Sequence, residues 1–251
     1  MRLTRLFVPE RLAVGQQASL PEAASLHVTR VLRLAAGARV VLFDGSGGEY
    51  DGTIVQTARS GVTLLPTQYR PVERESVHQV ALLQALARGE KMDWIVQKAT
   101  ELGVARIVPV ALERSVVRLK DEQAIKRLAH WRAIAVNACE QCGRNRLPEI
   151  VLPCTLDEAL QVCTDCPESL QLLLDPEATV ALSASLPSAP QRVTVLIGPE
   201  GGLTSAETDT AIGAGFVGVN LGPRVLRTET AALAVLSVLQ FAPMNWQPAS
   251  P

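Results

Sequence analysis

Along the chain, short continuous apolar runs alternate with longer amphipathic stretches. The runs "HQVALLQAL", "ARIVPV", "LQLLLD", "RVTVLIG" and "FVGVNLG" are bounded by turn residues, the pattern of strands buried on both faces of a sheet. Between them, "KMDWIVQKATELG" places Met92, Ile95, Ala99 and Leu102 on one helical face, Lys91 and Lys98 on another, and Gly103 past the end. Strands alternating with helices predict an α/β fold with a mainly parallel sheet. The first seventy residues read differently. Ser19-x-x-Glu22, with Pro21 between, marks a helix start that leads through "EAASLHVTRVLRL" to a stop at Gly37. "ARVVLFDGSGGEYDGTIV" predicts two strands around a Gly/Ser turn, and "TLLPTQYRPVERES" a last strand and a charged linker. A small β-rich module therefore precedes the α/β part, with the boundary near residues 70 to 76. "SASLPSAPQ" (183–191) is a short loop by composition.

Composition adds the class. At 251 residues there is room for one large domain or two smaller ones, and 47% hydrophobic with 20% charged residues suits a soluble globular protein. The net charge of −1 hides an asymmetry: residues 1–150 hold 21 Lys+Arg against 15 Asp+Glu, and residues 151–251 hold 3 against 10. A basic front suits an anionic partner such as RNA, although solvated surface charge accounts for it equally well. "MRLTRLFVPERL" lacks the apolar core of a signal peptide, and "TAALAVLSVLQFAPMNWQPASP" carries Gln240, Pro243 and Asn245 and is too briefly apolar to span a bilayer. The expectation is a cytoplasmic protein with no membrane partner. Five cysteines, an odd number, suggest reduced thiols. Cys139-x-x-Cys142 and Cys163-x-x-Cys166 lie at the outer edge of zinc-ribbon spacing. Against zinc, "IAVNACEQCGR" reads as a helix end, with Ile125, Leu128, Trp131, Ala135 and Ala138 leading into it at helical spacing. Small buried or half-buried thiols, and no metal, are expected.

Two loops hold the candidate chemistry. In "VTVLIGPEGGLTSAE" (193–207), a strand stops at a glycine-rich loop and Thr204-x-x-Glu207 starts a helix. In "LGPRVLRTETAAL", Gly222-Pro223 forces a turn, and Arg224 and Arg227 precede a helix beginning near Thr228 or Glu229. Neither loop carries Gly-x-Gly-x-x-Gly or Gly-Lys-Ser/Thr, which disfavours dinucleotide and NTPase sites. Glu200 stands where a phosphate binder wants N–H groups or a cation, so a neutral or cationic cofactor suits the loop better; glycine loops also serve as plain turns. Arg224 and Arg227 are two of the three basic residues after position 150. They call for a partner, or for an ion pair with Glu200 or Glu229. The following "TAALAVLSVLQF" is apolar nearly all round, as in a helix buried within its domain or by a second subunit.

The loops "IGPEGGLTSAE" and "LGPRVLRTETAAL" resemble the two cofactor-binding signatures of SPOUT methyltransferases, specifically the bacterial 16S ribosomal RNA uracil-N3 methyltransferase (RsmE) family. The similarity runs on through "RLFVPERL", "HVTRVLRL", "LFDGSGGEYDGTI", "RGEKMDWIVQKATELGV", "ERSVV" and "ACEQCGRNRLPEI". It implies a PUA-like RNA-binding β-barrel over residues 1–72 and a SPOUT domain with a deep trefoil knot over 73–251. It also implies a homodimer acting on 16S rRNA in the small ribosomal subunit. S-adenosylmethionine would be held by Leu174, Ile197, Gly198, Pro199, Glu200, Gly201, Gly202, Leu221, Gly222, Val225, Leu226 and Thr230. For catalysis, Arg227 is the candidate for stabilising charge on the pyrimidine, with Arg224 second; Glu200, Glu229 or water could be the base. RNA contacts are expected from Arg5, Arg30 and Arg33 in front and from Lys91, Lys98, Arg114, Arg144 and Arg146 in the middle. Arg30 and Arg33, one helical turn apart, would grip successive phosphates. With few aromatics beside them, the target uracil would be presented unpaired or flipped out. Two rival readings are ribose 2′-O methylation within the same class and a non-catalytic, zinc-stabilised RNA-binding module.

Overall fold

A computed structural model describes residues 3–58, 61–76, 78–115, 121–164, 169–186 and 192–241. The chain splits into two compact units, Met1–Glu75 with Cys139–Leu147, and Ser76–Ala138 with Pro148–Pro251.

The first unit contains β1 (Arg5–Phe7), β2 (Ala18–Ser19), α1 (Glu22–Leu26), a π-helical turn His27–Val31, β3 (Arg39–Phe43), β4 (Glu49–Ala58) and β5 (Gly61–Arg70). They form a sheet in the order β1-β3-β4-β5-β2, antiparallel except that β1 runs parallel to β3. Alternate residues Val62 and Leu64 of β5 point inward and join Leu6, Val40, Leu42, Ile54 and Val28 in one apolar cluster. The helix expected to run to Gly37 ends at Val31, and Arg33 takes a left-handed backbone (φ 52°). Val28, Thr29 and Val31 are β-branched and poor helix formers, and the Thr29 hydroxyl bonds back to the Ser25 carbonyl at 2.8 Å. Arg30 and Arg33 are thus not one helical turn apart. Ser19 belongs to β2 and caps nothing; Pro21 stands at the helix start with no side-chain cap.

The second unit contains β6 (Gln79–Ala85), α2 (Glu90–Glu101), β7 (Arg106–Ala111), α3 (Asp121–Cys142), β8 (Glu149–Ile150), β9 (Cys154–Thr155), α4 (Leu156–Thr164), β10 (Leu170–Leu174), α5 (Leu182–Ser185), β11 (Arg192–Ile197), α6 (Ser205–Gly213), β12 (Val217–Val219) and α7 (Thr228–Phe241); the last residues of α3, from Cys139, belong to the first unit. Every strand pair here is parallel, in the order β12-β10-β11-β6-β7-β8, with β9 also on β7. Both faces are covered, which accounts for the unbroken apolar runs. Val80 and Leu82 of β6 pack in the cluster that α2, α3 and α7 join, whereas Leu83 and Ala85 face the cluster containing α4 and α6 residues. On α3, Leu128, Trp131, Ala135 and Ala138 are buried as their spacing predicts. Ile125 is 60% exposed, and Ala124 takes the inward position instead.

The cysteine pairs resolve only partly. Cys139 and Cys142 end α3, the first buried, the second half-buried, and burial pushes the Cys139 thiol up to about 12. Cys166 and the side chain of Cys163 lie outside the described residues. Among the described residues no group of three or more His, Cys, Asp or Glu could hold a metal, and no helix is long and apolar enough to cross a membrane.

Candidate functional site

Three neighbouring parallel strands end level with one another: Leu174 of β10 pairs in register with Ile197 of β11 on one side and with Val219 of β12 on the other. Because β10 lies between β11 and β12, the chain leaving β11 passes beyond β10 before adding the edge strand. A crevice at such a reversal, outside the carboxyl ends of the strands, is where open α/β sheets bind ligands. Here it is a cleft of about 890 Å³ lined by residues following all three strands, within the range of small-molecule sites.

Each loop is fixed by specific contacts. The first, 198–204, turns through a Gly202 N–H to Pro199 carbonyl bond of 2.9 Å, with Gly202 at φ +70°. A methyl group on Gly198 would lie 2.5 Å from Leu203 Cδ1, so the chain closes tightly there. The expected helix start is present in full. Thr204 Oγ1 accepts from the Glu207 N–H at 3.3 Å, and the Glu207 carboxylate accepts from the Thr204 N–H at 2.8 Å. The second loop, 220–227, hangs from Asn220. Its Nδ2 donates to the Ala178 carbonyl (2.7 Å) and its Oδ1 accepts from the Gly222 N–H (2.9 Å), leaving Gly222 at φ +101°. A Cβ at Gly202 or at Gly222 would meet no atom within 4 Å. Bare backbone therefore faces open space on both loops.

Arg114, Leu174, Ile197, the whole Gly198–Gly202 loop, Leu221, Gly222, Arg224, Val225, Leu226 and Arg227 all line the cleft. Thr230 does not; it is exposed on α7. Three contacts have no signature in the sequence. Arg114 donates from Nη1 to the Gly201 carbonyl (2.9 Å) and the Leu203 carbonyl (3.2 Å), so it clamps the glycine loop. The Lys91 ammonium sits 2.7 Å from Glu200 and 3.6 Å from Glu229. That hydrogen bond holds the Glu200 carboxyl below its ordinary range and raises Lys91, which makes Glu200 a weaker base. Thr228 Oγ1 donates to the Gly198 carbonyl at 2.8 Å, joining the two loops. Among the described residues neither Glu200 nor Glu229 pairs with Arg224 or Arg227; both arginines are exposed on the cleft.

The remaining basic positions divide. Arg5 and Arg144 are 7% and 5% exposed. Arg5 bonds Glu49 and Asn145, and Arg144 bonds Glu75, so both guanidiniums serve the first unit's interior rather than a nucleic acid. Lys98 pairs with Glu101 at 2.8 Å, both half-buried, and the exposed Arg146 with Glu73 at 2.8 Å; Arg30 and Arg33 are exposed.

Comparison with known proteins supplies the family. The profile described as "RNA methyltransferase domain" matches residues 73–240, and that described as "RNA methyltransferase PUA domain" matches 20–66. A structure of a methyltransferase from Legionella pneumophila with bound S-adenosylmethionine superimposes at TM-score 0.90, with 39% identity, covering 96% of this chain and 98% of that one. One of a ribosomal RNA small subunit methyltransferase E from Neisseria gonorrhoeae bound to S-adenosylmethionine superimposes at TM-score 0.86, with 35% identity over 95% and 97%. The Bacillus subtilis protein of the same name is 34% identical over 220 residues, 86% of each chain. With both halves matched and the cleft built from its two loops, the chain belongs to the RNA methyltransferase family of ribosomal RNA small subunit methyltransferase E.

Proposed function

We propose that the protein transfers a methyl group from S-adenosylmethionine to N3 of one uridine in 16S rRNA of the small ribosomal subunit. The observation that carries this reading is the cleft itself: two loops with bare backbone at Gly202 and Gly222, apolar Leu174, Ile197, Leu221 and Leu226, and two exposed arginines. These residues fit the cofactor. Apolar side chains suit an adenine face, backbone N–H and C=O groups suit its edge, and Asp175, Glu177 and Glu200 on the lining suit a cation. Bound there, S-adenosylmethionine supplies a methyl already activated by its sulfonium, so the protein's task is positioning.

Uracil N3 must lose its proton to attack, and the resulting charge spreads over the flanking carbonyl oxygens. Arg227, on the cleft immediately before α7, is the candidate donor to one of them, with Arg224 second. A guanidinium stays protonated in proteins, so neither arginine is the base. Glu200 lines the cleft but is held by Lys91, and Glu229, also within 3.6 Å of Lys91, does not line it, so water is the stronger candidate. Residues 1–72 form the RNA-binding PUA-like barrel in this reading, and 73–251 the knotted SPOUT domain. Of the basic residues expected to contact RNA, Arg30, Arg33 and Arg146 are exposed and Lys98 is half-buried. Val238 and Phe241, exposed on α7 at 40% and 77%, suit burial in a homodimer.

The test is Arg227→Ala. Methyl transfer to small subunits should fall by at least about 10²-fold, the loss typical of one charge-stabilising donor, while S-adenosylmethionine still binds. Unchanged turnover would reject the role of Arg227.

A further inference from the structure

Strand β6 is buried on both faces, and on the face toward α7 its residues read Val80, Leu82, Gln84, with Leu86 beyond the strand end. A leucine at position 84 would continue that apolar cluster. Instead a fully buried amide stands there, 0% exposed and beside Ile197 in the neighbouring strand. Its Nε2 donates to the Ala85 carbonyl (3.1 Å) and to Thr228 Oγ1 (2.9 Å), whereas its Oε1 has no hydrogen-bond partner among the described residues. An unpaired buried acceptor opposes folding, and the two bonds from Nε2 offset that cost.

The donors run in one direction. Flipping the amide would set its oxygen against the Ala85 carbonyl, so Nε2 faces Thr228. Thr228 then directs its single hydroxyl hydrogen to the Gly198 carbonyl, 2.8 Å away. Gly198 opens the loop after β11, and Thr228 begins α7, where the loop after β12 ends. One buried side chain on β6 therefore orients the hydroxyl that ties together the two loops of the cleft.

We propose that Gln84 is a positioning residue for the cofactor, fixing the separation of the two loops through Thr228 and Gly198; this rests on reading the cleft as the S-adenosylmethionine site. Gln84→Met keeps the volume and deletes both the donor and the unpaired oxygen. Its melting midpoint should stay within about 2 °C of the parent, under one kcal/mol for a chain of this size. Its Kd for S-adenosylmethionine, measured by calorimetry, should rise about tenfold, the loss of one net hydrogen bond's worth of order. In the cofactor-free variant, amide exchange across 198–203 should quicken. Thr228→Val should weaken binding similarly, Thr228→Ser should recover that affinity, and Gln84→Met with Thr228→Val should bind no worse than either alone. The threonine pair decides the matter if Gln84→Met folds poorly. Undiminished affinity in Gln84→Met, or additive losses in the double variant, would overturn this inference alone. A parent protein that takes up no cofactor would overturn the reading of the cleft and this inference with it.

Discussion

Arg114 offers the sharpest check on how the glycine loop is held, because its sequence position suggests an RNA contact and the structure gives it other partners. Its Nη1 makes two bonds, 2.9 Å to the Gly201 carbonyl and 3.2 Å to the Leu203 carbonyl, and these bracket Gly202 with its left-handed backbone. Its aliphatic stem lies within 3.4–3.9 Å of where a Gly201 Cβ would stand. Bonds from a charged donor contribute about 1.5–3 kcal/mol each when buried. Arg114 is exposed, so solvent screening reduces the pair to about 1–2 kcal/mol together. If the loop must be ordered to receive S-adenosylmethionine, Arg114→Ala loses that free energy on binding, a rise in Kd of about 5–30-fold. Calorimetry with the cofactor reads this directly, and Arg114→Lys, which keeps the charge without the fork, should recover only part of it. Filter binding of small-subunit RNA to the cofactor-free protein should change little. Unaltered cofactor affinity together with weakened RNA binding would refute the reasoning and return Arg114 to an RNA-facing role.

Two further outcomes follow from the charge arrangement. Glu200 has a folded-state pKa below its ordinary value because Lys91 bonds it, so the tie contributes above the ordinary carboxylate pKa of about 4.3 and is lost only as pH falls through the lower folded value. A carboxyl-carbon NMR titration should place the Glu200 midpoint below the usual range and move it up in Lys91→Met; a midpoint indifferent to Lys91 would contradict the pairing. In the first unit, Glu49 is 2% exposed among Arg5, Arg70 at 2.8 Å and Arg74 at 2.9 Å. Glu49→Ala leaves a buried guanidinium uncompensated and should cost about 3–5 kcal/mol in chemical denaturation, against no measurable loss if these arginines instead serve RNA.

Features written in neighbouring residues are legible from the chain. Thr204 and Glu207 announce their capping box in four positions, and the apolar runs of β6, β7, β10, β11 and β12 announce buried parallel strands. The cleft lining, from Leu174 to Leu226, follows from resemblance rather than periodicity. What sequence does not disclose depends on residues far apart along the chain. Arg114 reaches Gly201 across 87 positions and Lys91 reaches Glu200 across 109, and no local pattern encodes either pairing. The two-residue strands β2, β8 and β9 carry too little pattern to detect. The early end of the first helix follows from β-branching at Val28, Thr29 and Val31, a weak signal beside the expected run to Gly37. Asn220 has a usable sign, a turn-forming residue two before a glycine. Gln84 has another, a polar residue inside an otherwise apolar run.

Mass spectrometry of nucleosides identifies the atom that receives the methyl group. Small subunits lacking the modification are incubated with the protein and isotopically labelled S-adenosylmethionine, and their 16S rRNA is digested to nucleosides. A single labelled product, 3-methyluridine, should form with the parent protein and be lost in Arg227→Ala. Label on a ribose oxygen, or none at all with the cofactor bound, would contradict transfer to uracil N3.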